Sequence, residues 1–183
     1  MKRKDFLRGA CGLTAALGLG KAGSLPAFGQ EQDAAAEGKK TEAFKKQVHG
    51  YVRSLMDNMD KNLPEAERLM VQEANGRACA GRGAIDWIKS FGGDVDKFIA
   101  GMRKILGEKS AARDGSKVRL TFNECLCPLV AELKEPISPT YCLCTQGWTK
   151  AVFQELTGRT VRVTLNGTIK RGDPLCLIEV DLA

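Results

Sequence analysis

The stretch "KVRLTFNECLC", residues 117 to 127, decides the fold class. Val118, Leu120 and Phe122 alternate with Arg119, Thr121 and Asn123. A period of two is the signature of a strand with one buried face. Everything before this stretch reads with a different period. Phe44, Val48, Tyr51, Val52, Leu55 and Met59 recur at helical spacing over residues 41 to 59. Pro64 suits the first turn of a second helix and Gly76 its end. Trp87, Ile88 and Phe91 suggest a short helix stopped by Gly92-Gly93. Asp94 then caps another helix, carrying Val95, Phe98, Ile99, Met102, Ile105 and Leu106 inward and closed by Gly107.

After the deciding stretch the strand signals continue. The loop "ELKEPISPT" leads to "YCLC" (141–144), and Thr145 is placed to cap a helix with Trp148, Val152, Phe153 and Leu156 that ends at Gly158. Val161, Val163 and Leu165 form the next strand, Asn166-Gly167 signals a hairpin turn, and Leu175 to Leu182 is the last strand. The expected architecture is a single α+β domain over 41–183, helical over 41–112 and strand-rich with one helix over 113–183, its sheet mainly antiparallel.

The N-terminus reads differently. A basic start (Lys2, Arg3, Lys4, Arg8), a weakly apolar run from Ala10 to Leu19 and small residues up to Gly29 have the order of a secretory signal over 1–29. Arg3-Lys4-Asp5-Phe6-Leu7 resembles the twin-arginine export signal, with Lys4 in place of the second arginine. That resemblance implies export to a bacterial periplasm in a folded state. Residues 30–40, "QEQDAAAEGKK", read as a flexible linker. The apolar run is too short and too glycine-rich for a stable span, so no membrane anchor is expected once the signal is gone. Of the net charge of +6, the first 29 residues carry +4 (five basic side chains, one acidic), leaving +2. So balanced a surface gives no ground for a nucleic-acid partner.

The chemistry is in the cysteines. Six lie beyond residue 29: Cys79, Cys125, Cys127, Cys142, Cys144 and Cys176. An even number in an exported chain suggests disulfides. Yet the spacing Cys-x-Cys occurs twice. On a strand, residues two apart share a face, so Cys125 with Cys127, and Cys142 with Cys144, would present four thiols on one surface if the two segments lie side by side. Four thiolates at about 2.3 Å from one ion make a structural zinc or iron site. Cys79, in the Gly-rich "GRACAGRG", is an additional candidate ligand. Cys176 alternates with Ile178 and Val180 and reads as a core residue, or as a wall of a small-ligand pocket with Tyr141 and Trp148. Cysteine catalysis would need a base beside a thiol, and Glu124, Asp173 and His49 are the residues to consider. The single histidine, His49, reads as a surface or partly packed side chain of the first helix rather than a ligand.

The ordered set "CLCP…YCLCTQGW…ELTGRTVRVTLNGTIKRGDPLCLIEV" resembles the L-2-amino-thiazoline-4-carboxylic acid hydrolase-like proteins and the related 4-vinyl-reductase-like hydrocarbon-binding domains. The positions that carry the resemblance are Cys127, Pro128, Cys142 or Cys144, Trp148, Gly158, Gly172, Asp173 and Cys176. It implies a small α+β ligand-binding fold with a cavity between helices and sheet, zinc held by cysteines of this region in some members, and hydrolysis of a cyclic thiazoline in others. This chain departs by doubling the cysteines at two places and by its export signal. Three readings therefore stand: a metal-binding domain, also able to hold a small ligand; a thiazoline-type hydrolase or thiol-dependent redox enzyme; and a disulfide-stabilised structural domain.

Overall fold

The computed structural model describes residues 30–133, 135 and 137–182, with side chains from Lys40 onward. The segment read as an export signal, 1–29, lies outside the described residues. Six helices and four strands follow in the order α1 (Gln30–Asn62), α2 (Glu65–Gly81), α3 (Ala84–Lys89), α4 (Val95–Leu106), β1 (Ala111–Asp114), β2 (Lys117–Phe122), α5 (Pro139–Cys142), α6 (Cys144–Thr157), β3 (Arg162–Gly167), a 3-10 turn (Ile169–Arg171) and β4 (Cys176–Asp181). The molecule is α+β, as the change of period at Lys117 implies.

The sheet has the order β1-β2-β4-β3 and is antiparallel throughout. Register aligns Val118 with Val180 and Leu120 with Ile178, and on the other side Val163 with Val180. These residues are buried, whereas Arg119 beside them is exposed. One face is thus apolar, and helices α4 and α6 cover it. Helix α4 forms where its signals predict. The Asp94 carboxylate accepts from the Asp96 and Lys97 amides at 3.0 Å each. Val95, Phe98, Ile99 and Met102 form its buried stripe, and Gly107 ends it at φ 100°. Phe98 meets Phe153 of α6 edge-on at 5.3 Å, which locks the two helices together over the sheet.

Helices α2 and α6 form the densest helix–helix contact in the fold. Their axes close to backbone contact because two glycines meet there. A Cβ on Gly76 would stand 1.9 Å from the Cys144 carbonyl oxygen, and one on Gly147 would stand 2.0 Å from that of Glu73. Gly76 is therefore the crossing point of α2 and not its end; the helix runs on to Gly81. Lys150 pairs with Glu73 beside the crossing, and Arg77 donates to Gln154 at 2.6 Å.

Four other elements differ from their sequence reading. Residues 30–40 continue α1 instead of forming a linker, in keeping with the helix propensity of their Ala, Glu, Gln and Lys residues. Helix α1 turns Val52, Met56 and Met59 to the body, while Phe44, Tyr51 and Leu55 stay exposed. Asn166-Gly167 does not make a hairpin turn. It lies inside β3 at a bulge, and the chain returns through the longer 3-10 segment. Strand β1 is additional; it pairs with β2 across a tight turn at Gly115, φ 56°.

A polar knot fastens α1 and α2 to α5. Asp60 accepts from Arg68 at 2.5 Å, from Thr140 at 2.5 Å and from Ser138, whose hydroxyl also caps α5 through the Thr140 amide. Burial alone would raise the Asp60 carboxyl. The donors from Ser138, Thr140 and Arg68 together outweigh it and hold the group below its usual range. Asp60→Ala should cost about 2 kcal/mol, less than a fully buried network because the pair is partly solvated. Since the folded value is depressed, the contribution is present above the ordinary carboxylate range and fades as pH falls through the folded value. Urea unfolding of the variant at neutral and acidic pH checks both, the gap from wild type closing at low pH.

Candidate functional site

The two Cys-x-Cys segments do not form strands. Strand β2 stops at Phe122, and Cys125, Leu126 and Cys127 follow in an irregular loop. Cys142 is the last residue of α5 and Cys144 the first of α6, with Leu143 as the joint between them. Around that helical junction, side chains two residues apart point about 200° apart and do not share a face. The expected flat surface of four thiols is thereby replaced by a wall with two sides.

Six segments of chain arrange it. The Gly76–Gly147 crossing sets α6, hence Cys144, against α2, which carries Cys79 one turn beyond Gly76. The register Phe122–Cys176 puts the start of β4 next to the end of β2, from which Cys125 follows three residues on. Asp173 Oδ2 accepts the Thr168 amide at 2.6 Å, and Gly172, at φ 100°, lets the 3-10 turn close. The Gly-Asp-x-x-Cys end is thus a loop that presents Thr168 and Cys176 together. Lys170 is buried and donates to the Ala131 and Leu133 carbonyls, while Arg171 donates to that of Pro139 at 3.1 Å. These bonds stitch the cysteine loop, α5 and the 3-10 turn into one unit.

The six cysteines among the described residues are free thiols, Cys79 exposed, Cys142 buried and the others half-buried. Burial pushes Cys144 up to about 12, helped by the neighbouring Cys127, Cys142 and Cys79 thiols and opposed by the Thr145 hydroxyl. Cys142 is raised by burial first, with Cys125 and Cys176 adding to it. The Thr168 hydroxyl and the Arg171 guanidinium pull the other way. Cys125 is raised by burial, against the Cys127 amide and the Lys170 ammonium, with Cys127 and Cys176 as neighbouring thiols. Cys176 is raised by burial and by Asp173, and the Ile169 amide opposes both. Tyr141 lies 3.8 Å from the Cys127 sulfur, and burial followed by the Cys127 charge drives its phenol well up.

A common pattern runs through these thiols. Beside four of the thiols stands a polar N–H or O–H group that favours the thiolate: the Cys127 amide by Cys125, the Thr168 hydroxyl by Cys142, the Thr145 hydroxyl by Cys144 and the Ile169 amide by Cys176. The Thr168 hydroxyl is buried and makes no hydrogen bond. Donors of this kind stabilise a thiolate, not a thiol. As the side chains are placed, and among the described residues, no three His, Cys, Asp or Glu groups surround a point where an ion could sit.

The three residues read as a ligand pocket are placed apart. Trp148 packs on the main core, Tyr141 edges a void of only 10 Å³, and Cys176 belongs to the thiol wall. The core reading of Cys176 fails because β4 begins at this residue, beyond the covered part of the sheet where Ile178 and Val180 are buried. His49 lines the small void with Val52 and Leu129. A larger groove of 390 Å³ opens between the Leu106–Ser110 corner and Thr121–Glu124, with Leu126 at its rim. Thr168, Lys170 and Arg171 carry no motif in the sequence. The one signal pointing to them is the Gly-Asp turn that follows.

Fold and site together define a small α+β protein with a cysteine wall between a four-stranded sheet and a pair of crossed helices. A family model matches residues 30–183, and the chain belongs to that family, DUF6144, a family of unknown function. No curated protein matches the chain. Among the described residues, no helix is long and apolar enough to cross a membrane.

Proposed function

We propose that this chain is an exported metal-binding domain whose thiol wall takes a thiophilic ion, zinc or iron. The observation that carries the reading is that each of six free thiols, from α2, the loop after β2, the α5–α6 junction and the start of β4, has another of the six as an electrostatic neighbour, with a polar N–H or O–H group beside four of them. A buried thiolate cluster is costly without a counter-charge, because each thiolate repels the next and burial penalises all of them. A soft divalent ion reverses that balance, and the donors then act as its outer shell. Disulfides are supported less well. A half-cystine sulfur carries no charge for a donor to stabilise, and the sulfurs here neighbour several others instead of one partner.

The resemblance to thiazoline hydrolase-like and hydrocarbon-binding proteins supports the same region as the site, since cysteines there hold zinc in some of those proteins. It supports hydrolysis less, because burial drives these thiols toward the neutral form, the opposite of an activated nucleophile. The basic start and Phe-Leu pair of the N-terminus support export.

Elemental analysis of protein purified without oxygen tests the reading. We expect zinc or iron in at least stoichiometric amount, and thiols that react with a maleimide only after a chelator is added. Reduced protein with no metal and six fast-reacting thiols would sink it. A mass lowered by paired oxidation would select the disulfide reading instead.

A further inference from the structure

We infer that the groove between the Leu106–Ser110 corner and the end of β2 is a binding site for a small amine, a molecule with one ring or a short apolar chain and a protonated amino head. The site uses no sulfur, so it goes beyond the metal-binding reading and does not depend on it.

The groove comes from a mismatch in strand length. Strand β1 begins at Ala111, opposite Leu120, while β2 runs on to Phe122. On that edge the chain has come from α4 through Gly107, at a φ of 100° that glycine adopts readily. Past Thr121, no strand of the described sheet covers this edge of β2. The space left there is the groove of 390 Å³. That volume falls in the range of small-molecule sites.

Ser110 is the residue that points to a ligand. It lines the groove and is 4% exposed. Its amide donates to the Gly107 carbonyl at 3.0 Å, and its carbonyl accepts the Thr121 amide at 2.9 Å. The backbone of Ser110 is therefore fixed and satisfied. Its hydroxyl is buried and has no hydrogen-bond partner. A buried hydroxyl left so is costly and uncommon. A single χ1 step reorients a serine hydroxyl, so a seated N–H donor can claim its oxygen.

The rest of the lining sets the class of ligand. Leu106, Phe122 and Leu126 supply apolar surface, and the first two also pack against the main core, which holds them in place. Of the charged residues there, the carboxylates Glu108 and Glu124 outnumber the one ammonium, Lys109. All three are exposed, so the preference for a cationic head is modest. The ring of Phe122 adds to it. Leu126 stands between Cys125 and Cys127 in the chain, so a molecule in the groove touches the loop that carries these two thiols.

The test is an NMR titration of the isotope-labelled full chain with phenethylamine at neutral pH. Phenylpropionate and phenethyl alcohol serve as its acidic and neutral counterparts. The amine should shift the amides of Ser110, Thr121, Asn123 and Leu126, and the acid should bind at least about fivefold more weakly. Ser110→Ala should weaken the amine about fivefold while the urea midpoint holds or rises, because the variant loses a hydroxyl that was unpaired. Glu108→Gln, at an exposed side chain, should weaken the amine and leave the alcohol unchanged. Shifts confined to other residues, or no shifts with any of the three probes, overturn the site. Equal or tighter binding of phenylpropionate overturns the amine assignment. A lower urea midpoint with unchanged amine affinity in Ser110→Ala would make that hydroxyl structural and overturn its role. None of these outcomes touches the metal-binding reading, which elemental analysis decides separately.

Discussion

Gly147→Ala should unfold this protein or come close to it. A single added methyl would sit 2.0 Å from the Glu73 carbonyl oxygen and 2.5 Å from the Glu73 Cα. Both are backbone atoms of α2, so no side chain can swing aside. Relief demands that α2 and α6 separate along their whole contact, which also pulls Lys150 from Glu73 and Arg77 from Gln154. Overpacking of a core costs about 1–3 kcal/mol where side chains can yield, and here none can, so a loss of on the order of 4 kcal/mol is expected. That is a large part of the stability of a domain this size. Gly76→Ala should behave alike, its Cβ falling 1.9 Å from the Cys144 carbonyl. By contrast Gly50→Ala, on the open face of α1, meets nothing within 4 Å and should be neutral or slightly stabilising. Urea denaturation of the three variants decides the matter. A cost below about 1 kcal/mol for Gly147→Ala would mean that the helices do not cross at backbone contact. The effect bears on the site as well, because this crossing is what brings Cys144 against the helix that carries Cys79.

Residues whose position is fixed by local periodicity could be read from the sequence. Val118 and Leu120 on β2, the Asp94 cap and the inner stripe of α4, and the left-handed stop at Gly158 all follow from signals within one or two turns of chain. Gly76 could not be read that way. A glycine near a plausible helix end looks like a terminator, and only the partner Gly147, 71 positions later, makes it a crossing point. The cysteines divide along the same line. The repeated spacing of Cys125, Cys127, Cys142 and Cys144 was legible. How they face was not, because the same spacing means one face on a strand and opposite faces at a helix junction. Thr168, Lys170 and Arg171 escaped notice for a further reason. Their contacts with the thiols and with the 131–139 loop are all long-range, and Asn166-Gly167 suggested a tight hairpin that would have left no room for them.

The metal-free protein should lose stability as pH rises, and the metal-loaded protein should not. Cys125, Cys142, Cys144 and Cys176 are all raised in the folded chain, chiefly by burial, Cys144 to about 12. In the unfolded chain each thiol returns to about 8.5. Above that value the unfolded state sheds protons that the folded state retains. It then binds fewer protons than the native state, and stability falls with rising pH until the folded thiols ionise in their turn. A drop in Tm on the order of 5 °C between about pH 8 and about pH 10 is expected for reduced, chelator-treated protein. With an ion bound the thiols are already thiolates, so the alkaline loss disappears. Instability moves to the acid side, where protons compete with metal for sulfur. Cys144→Ala removes the most strongly raised thiol and should flatten the alkaline slope of the metal-free protein while leaving other alkaline effects in place, which separates the thiol contribution from the titration of lysines. Thermal melts across this range, with and without zinc, make the comparison. Identical alkaline slopes for the metal-free and zinc-loaded forms would mean that the wall of sulfurs is not where the ion is held.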